Sequence, residues 1–247
     1  MREDAYPFFI GPHRFDVSDD DGLLLDRRYE LVPELGERFL GRYRLSVAGD
    51  LLDPCEGRRQ WSLPVAATVT VTDRRVVHVC TDSTLTLVGT GTGHQRRVQR
   101  PRLVSGQVRW QWPSRLELRS DEETRDGELL IVCDALRTIR QPTLTLAGPA
   151  PLLTELARQI RRAVAGFRLT RPELVELSPP ERDALARQNG PAPVLAGSRV
   201  ALPGSLPVEF LSRDDYYRRG TRPMPGRLRQ STRPAPAAQP RRPGSAC

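Results

Sequence analysis

Lysine is absent from this chain: all 38 basic residues are Arg, set against 30 acidic residues for a formal net charge of +8. Chemistry that needs a lysine amine is therefore excluded, which removes Schiff bases, Walker-A phosphate loops and a kinase-type Lys–Glu pair. Cysteine and histidine are scarce. Cys55, Cys80, Cys133 and Cys247 show no C-x-x-C spacing, and only His13, His78 and His94 could join them as soft ligands, so neither a metal site nor a cofactor is expected. Aromatic residues make up 6% and hydrophobic residues 38% of the 247 positions. Both are low for a chain that is core throughout, and they point to one modest domain with poorly ordered flanks. No run approaches the roughly 18 apolar residues that cross a bilayer. The start, MREDAYPFF, is acidic and has no apolar signal core. Cys247 follows Gly-Ser-Ala rather than a prenylation box. These features predict a cytoplasmic protein, with peripheral association at the inner face of the membrane as its one membrane role.

Asn occurs once (Asn189) and Ile four times (Ile10, Ile131, Ile139, Ile160), while Ala, Pro and Gly are abundant. That composition, with Arg in place of Lys, is what a GC-rich genome writes at chemically tolerant positions. It points to a high-GC bacterium of the actinobacterial type. The Arg content is thus first a statement about the genome and only then about ligands.

Charge divides the chain. Residues 1–40 hold 10 acidic residues and 5 Arg, 41–211 hold 24 Arg and 18 acidic residues, and 212–247 hold 9 Arg and 2 Asp. In the last stretch Arg, Pro and Gly make up 18 of 36 residues, too little apolar surface to offset the entropy of ordering, so disorder is expected. The boundaries that follow are an acidic N-terminal arm at 1–39, a domain at 40–170, a short helix with an extended segment at 171–211, and a disordered tail at 212–247.

The domain reads as β structure. Val65, Ala67, Val69 and Val71 alternate with Ala66, Thr68, Thr70 and Thr72, a period of two rich in β-branched residues. Asp73-Arg74 supplies a turn and Val76 to Cys80 a second strand. Further alternation marks Leu85–Leu87, Val108–Trp112, Leu116–Leu118 and Leu144–Leu146, with a continuous run at Leu129–Cys133 and a strand at Tyr43–Val47. Seven or eight strands separated by turn residues indicate a sandwich or barrel. The shared parity of Trp110 and Trp112 with Val108 assigns both rings to the core. Leu152, Leu153, Leu156, Ile160, Ala163, Val164 and Phe167 then recur at helical steps. Arg158, Arg161, Arg162 and Arg168 fall between them, which predicts an amphipathic helix with one apolar and one basic face. Ser178-Pro179-Pro180-Glu181 is a capping-box pattern for a shorter helix stopped by Gly190.

Many antiparallel strands followed by one amphipathic helix resemble the pleckstrin-homology superfold. The run Val69-Thr70-Val71-Thr72-Asp73-Arg74-Arg75-Val76-Val77 is similar to a hairpin of GRAM and bacterial PH-like domains. Gly106-Gln107-Val108-Arg109-Trp110-Gln111-Trp112-Pro113 is similar to a strand of PH-like proteins of actinobacteria. The resemblance covers about 40–170. It implies a mostly β fold with α, a bent antiparallel β-sandwich or barrel closed by a C-terminal amphipathic helix and followed by a disordered basic tail. The Lys-rich phosphoinositide signature of eukaryotic PH domains has no match, so lipid specificity does not carry over.

Gly89-Thr90-Gly91-Thr92-Gly93 leads into a basic, apolar-poor stretch rather than a helix, so it reads as a β–β loop and not as a phosphate loop. Arg96, Arg97, Arg100 and Arg102 follow, and Arg74 and Arg75 lie on a nearby turn if the hairpins stack in order. Guanidinium forks bind phosphate and carboxylate bidentately, so these six are the candidate anion-binding residues. Their occupant is a membrane head group, an acidic protein segment, or the chain's own acidic N-terminal segment. Against this stands a solvated loop whose Arg residues reflect codon usage alone. The Arg-rich tail could instead follow nucleic acid by sequence-blind attraction. No nucleophile–base constellation is visible: His78 sits among valines, and Glu122-Glu123 and Asp214-Asp215 lie in polar loops. The expectation is a non-catalytic binding or scaffolding module.

Overall fold

The computed structural model describes residues 23–53, 57–83, 102–120, 125–135 and 139–208. The elements are β1 (Phe39–Asp53), β2 (Gly57–Thr72), β3 (Arg75–Ser83), β4 (Arg102–Arg109), β5 (Pro113–Ser120), β6 (Asp126–Cys133), β7 (Gln141–Pro149), α1 (Ala150–Thr170), α2 (Pro179–Gln188) and β8 (Arg199–Ala201). The strands form one open sheet in the order β4-β3-β2-β1-β7-β6-β5-β8, with each neighbouring pair antiparallel. Among the described residues the protein is mostly β with two helices.

β1 and β2 reach 15 and 16 residues, far beyond the short apolar runs at Tyr43–Val47 and Val65–Thr72. Their distal ends, Asp50–Asp53 and Gly57–Pro64, lie beyond those runs; Trp61 and Leu63 keep the parity of Val65–Val71, and pairing of the two ends with each other carries the strands past them. β1 also turns between two partners: Ser46–Leu52 pair with β7 while the whole strand pairs with β2. Irregularities between Val47 and Gly49 and between Gly49 and Asp50 mark where the ladder bends.

One core covers one face of the sheet. Val47, Val69, Val76 and Val108 come from the first four strands, Leu116, Leu129, Ile131 and Leu146 from β5–β7, and all belong to the same buried cluster. α1 packs on β5, β6 and β7 and contributes Leu153, Leu156, Ile160, Val164 and Phe167 to that cluster. Each such side chain is worth up to about 1.5–3 kcal/mol on burial, an upper bound because the unfolded chain is itself partly collapsed. Trp110 and Trp112 occupy the bend between β4 and β5 and are buried. Trp110 donates its Nε1–H to the Thr72 carbonyl at 2.9 Å.

Both flanks of the strand–helix unit pack on it. On the other face Leu31 joins Val77 and Val79, with Leu23 and Leu25 against them, so the segment before β1 lies across the outer face of β3. Beyond α1, Ser178 caps α2 through Glu181 in the expected capping box. The segment that follows places Val194, Leu202 and Val208 in the main core, and β8 adds to the edge at β5. Gly204 (φ +76°) fixes this return, because a Cβ there would stand 2.3 Å from Leu177 Cδ2. The alternation at Leu85–Leu87, the glycine loop, Phe8, Phe9, Phe15, the acidic run Asp19–Asp21 and the Arg-rich tail lie outside the described residues. No helix among the described residues is long and apolar enough to cross a membrane.

Candidate anion-binding site

Of the six Arg residues singled out by their density, the structure describes three. Arg74 and Arg75 sit at the β2–β3 turn, Arg102 opens β4 opposite Ser83, and Arg96, Arg97 and Arg100 lie outside the described residues. Arg75 points to the outer face of β3 and is only 3% exposed. Its Nε and Nη2 donate to Glu37 at 2.9 and 2.7 Å, and its Nη1 donates to Gln107 Oε1 at 2.7 Å. Arg74 donates to Glu34 at 3.1 Å and to the Leu35 carbonyl at 2.7 Å. Arg109 reaches the other oxygen of Glu34 at 2.6 Å.

Two carboxylates of the chain thus answer three guanidinium groups, and Arg74 and Arg75 do not stand open to an external anion. The acidic N-terminal segment is their partner. Gly36 (φ +75°) makes the turn that brings both carboxylates to one place, with Glu37 N–H donating to the Glu34 carbonyl and Glu34 N–H to Glu37 Oε2. The sequence signal was present as two Glu residues three apart around a Gly, but nothing in one dimension placed them over Arg75. Desolvation opposes ionisation of Glu34, yet hydrogen bonds and charge from Arg109, with Arg75 and Arg74 behind them, hold its carboxyl below the usual range. Glu37 is likewise desolvated, and the bonds from Arg75, the Glu34 backbone and Thr72 hold it below as well.

Cationic groups gather instead beside α1. A half-open groove of about 590 Å³ runs between the C-terminal part of the helix and the start of β1, with Arg38, Leu40 and Asp73 on the sheet side. Leu40, Ala163 and Phe167 give it an apolar floor. Gln159 sets its depth by accepting from Tyr43 Oη at 2.8 Å and donating to the Leu40 carbonyl at 2.9 Å, which ties β1 to the helix. Four guanidinium groups face it against two carboxylates. Arg158 bonds Glu155, and Arg38 bonds Asp73 at 3.0 Å. The Arg171 guanidinium lies 5.0 Å from the centroid of the Phe167 ring. Among the described residues Arg162 and Arg171 form no ion pair.

The basic face expected of α1 needs correction. Arg161 and Arg168 are buried, and their donors go to carbonyl oxygens. Arg161 bonds Gly190 and Ala192 at 2.9 and 2.6 Å. Arg168 bonds Trp110, Leu202, Pro203 and Pro113 at 2.6–2.9 Å. Arg168 therefore ties the helix to the β4–β5 bend and to the returning C-terminal segment at once. Burial pushes its guanidinium down to about 9, so it stays charged at neutral pH. The five donors of a planar fork match several converging carbonyls, which an ammonium group could not serve as well.

Elsewhere the Arg excess is absorbed within the sheet. Glu117 accepts from Arg115 and Arg119 at 2.8 and 2.9 Å, and Asp50 and Glu128 hold Arg58 between them. His78 is fully buried in β3, and burial lowers its pKa to about 4. Cys80 and Cys133 are free and buried, and burial pushes the Cys133 thiol up, away from thiolate chemistry. Among the described residues no group of three or more His, Cys, Asp and Glu is placed to hold a metal ion. No family model matches the chain, and no curated protein matches it.

Proposed function

We propose that this protein is a non-catalytic PH/GRAM-like binding module that recognises an anionic partner, and that the recognition site is the α1 groove. The carrying observation is the groove itself: four guanidinium groups to two carboxylates over an apolar floor, with Arg162 and Arg171 free of ion pairs among the described residues. Guanidinium forks meet phosphate or carboxylate with two parallel bonds, and partial shielding by the groove walls strengthens each. The PH-like part of the proposal is supported by seven antiparallel strands running into a helix that packs on the last three, the arrangement that the hairpin and the Gly106–Pro113 run imply. The hairpin clamp is structural in this account, its charges already answered by Glu34 and Glu37.

The test is binding of the full chain to two soluble anionic probes, phosphatidylglycerol vesicles and polyglutamate, at low and moderate salt. Retention of at least one probe is expected, with a salt-dependent loss on Arg158→Glu/Arg162→Glu. Binding of neither, or binding that the charge reversal leaves unchanged, refutes the proposal.

A further inference from the structure

Gly166 stands in the C-terminal part of α1, yet no packing contact calls for it. A Cβ built there meets nothing within 4 Å, and the residue lines the groove. Glycine inside a helix is less favourable than alanine, so its presence keeps the floor of the groove low without serving the fold. Of the eight exposed large hydrophobic residues among those described, five (Leu24, Tyr29, Leu35, Phe39 and Leu40) fall within 24–40. Phe39 and Leu40 both line a second groove of about 440 Å³. Leu40, at the start of β1, thus gives exposed apolar surface to both grooves.

From this we infer that the α1 groove takes a short acidic segment of another protein, extended and carrying a large apolar side chain that sits over Gly166. The inference rests on the anionic-partner proposal and narrows it. Three features favour a protein segment over a lipid head group. Arg158 and Arg162 lie along the helix and Arg171 just past its end, in a row instead of a cluster: at about 1.5 Å per residue the row spans roughly 20 Å, the length of about six extended residues. Such a row matches successive carboxylates better than one phosphate. The lining also includes Asn189, an exposed amide that can bond a peptide backbone. Finally, the Phe167 ring under Arg171 and the Leu40 side chain give an apolar anchor a place to bury between the charges.

The experiment uses the full chain and a fluorescein-labelled peptide of about eight residues, Asp and Glu with a central Leu pair, read by fluorescence anisotropy. Phosphatidylglycerol vesicle flotation is run alongside. Gly166→Leu fills the floor from an open position, so thermal unfolding should occur at an equal or higher temperature while peptide affinity falls at least tenfold. Arg162→Glu should weaken the peptide by a similar factor and flatten the dependence of binding on salt. A Gly166→Leu protein that folds and binds the peptide as the native chain does overturns the inference. If Gly166→Leu fails to fold, Leu40→Ser and Phe167→Leu at the same floor decide by the same criterion. Vesicle capture that Arg162→Glu abolishes, with no peptide binding, overturns the protein-segment inference and leaves the anionic-partner proposal standing. Silence with both probes overturns both.

Discussion

Replacing Glu37 by Gln isolates the clamp between the N-terminal segment and the β2–β3 hairpin. The Glu37 carboxylate accepts four hydrogen bonds: two from Arg75, one from Thr72 Oγ1 and one from the Glu34 N–H. Each oxygen takes two of them, so an amide in either orientation sets an NH₂ against two donors. Two charge-assisted bonds are then lost, each worth about 1.5–3 kcal/mol, and the buried Arg75 charge keeps only Glu34, at 3.3 Å, as its counter-charge. Breaking a buried pair from one side costs about 3–5 kcal/mol, a large part of the roughly 5–15 kcal/mol that holds a domain folded. The assay is urea unfolding followed by tryptophan fluorescence, apt because Trp110 bonds the Thr72 carbonyl beside the cluster. Replacing both partners, as Glu37→Leu/Arg75→Met, removes the charge problem and should cost less than the sum of the single changes, a coupling above about 1 kcal/mol. The cluster also carries a pH signature. Glu34 and Glu37 have carboxyl pKa values depressed from the ordinary 4.5, so their contribution is complete above that value. It is lost as pH falls through the lower folded-state values, and Glu37→Gln should flatten that limb. A Glu37→Gln protein within about 1 kcal/mol of the native chain, with an unaltered acid limb, would refute the account of the clamp.

His78 should make stability fall earlier on acidification than carboxylates alone would. Its folded pKa of about 4 lies below the ordinary 6.5, so the unfolded chain binds the extra proton between those values. The contribution is present above pH 6.5, and about 3 kcal/mol of it is lost by pH 4. Chemical denaturation at steps from pH 7 to 4 reads this, and a His78→Leu slope equal to the native one over that window would count against it. Arg168→Met leaves four carbonyls without their donor, at about 1–3 kcal/mol for each that water cannot reach. Severe destabilisation by circular dichroism melting is expected, with Arg168→Lys recovering only part because an ammonium has three donors to share. An Arg168→Met melting temperature within a few degrees of the native value would show that the guanidinium is not a staple.

Much of the architecture was legible in one dimension because it is written as periodicity. Alternating Val and Thr through residues 65–72, the continuous run at Leu129–Cys133, the three- and four-residue steps from Leu152 to Phe167 and the Ser178 capping box each describe a local preference that the core then reinforces. The distal ends of β1 and β2 were only partly legible: Trp61 and Leu63 share the parity of Val65–Val71, while Asp50, Asp53, Arg58 and Gln60 are held in strands by the pairing of the two ends. Nor was the packing of Val194, Leu202 and Val208, isolated apolar residues whose burial depends on a return across the core.

For the site, the chain by itself determined that the cations would be Arg, that they would outnumber the carboxylates, and that no lysine chemistry would be open to them. It did not determine which of them would face an anion. That was decided in three dimensions, where Glu34 and Glu37 fold back onto Arg75, carbonyls converge on Arg168, and Arg162 and Arg171 are left beside an open groove. The physical reason is that charge is additive along a sequence while neutralisation is not. It acts over a few ångströms between groups that may be 38 or 58 residues apart, and only the folded chain sets those distances.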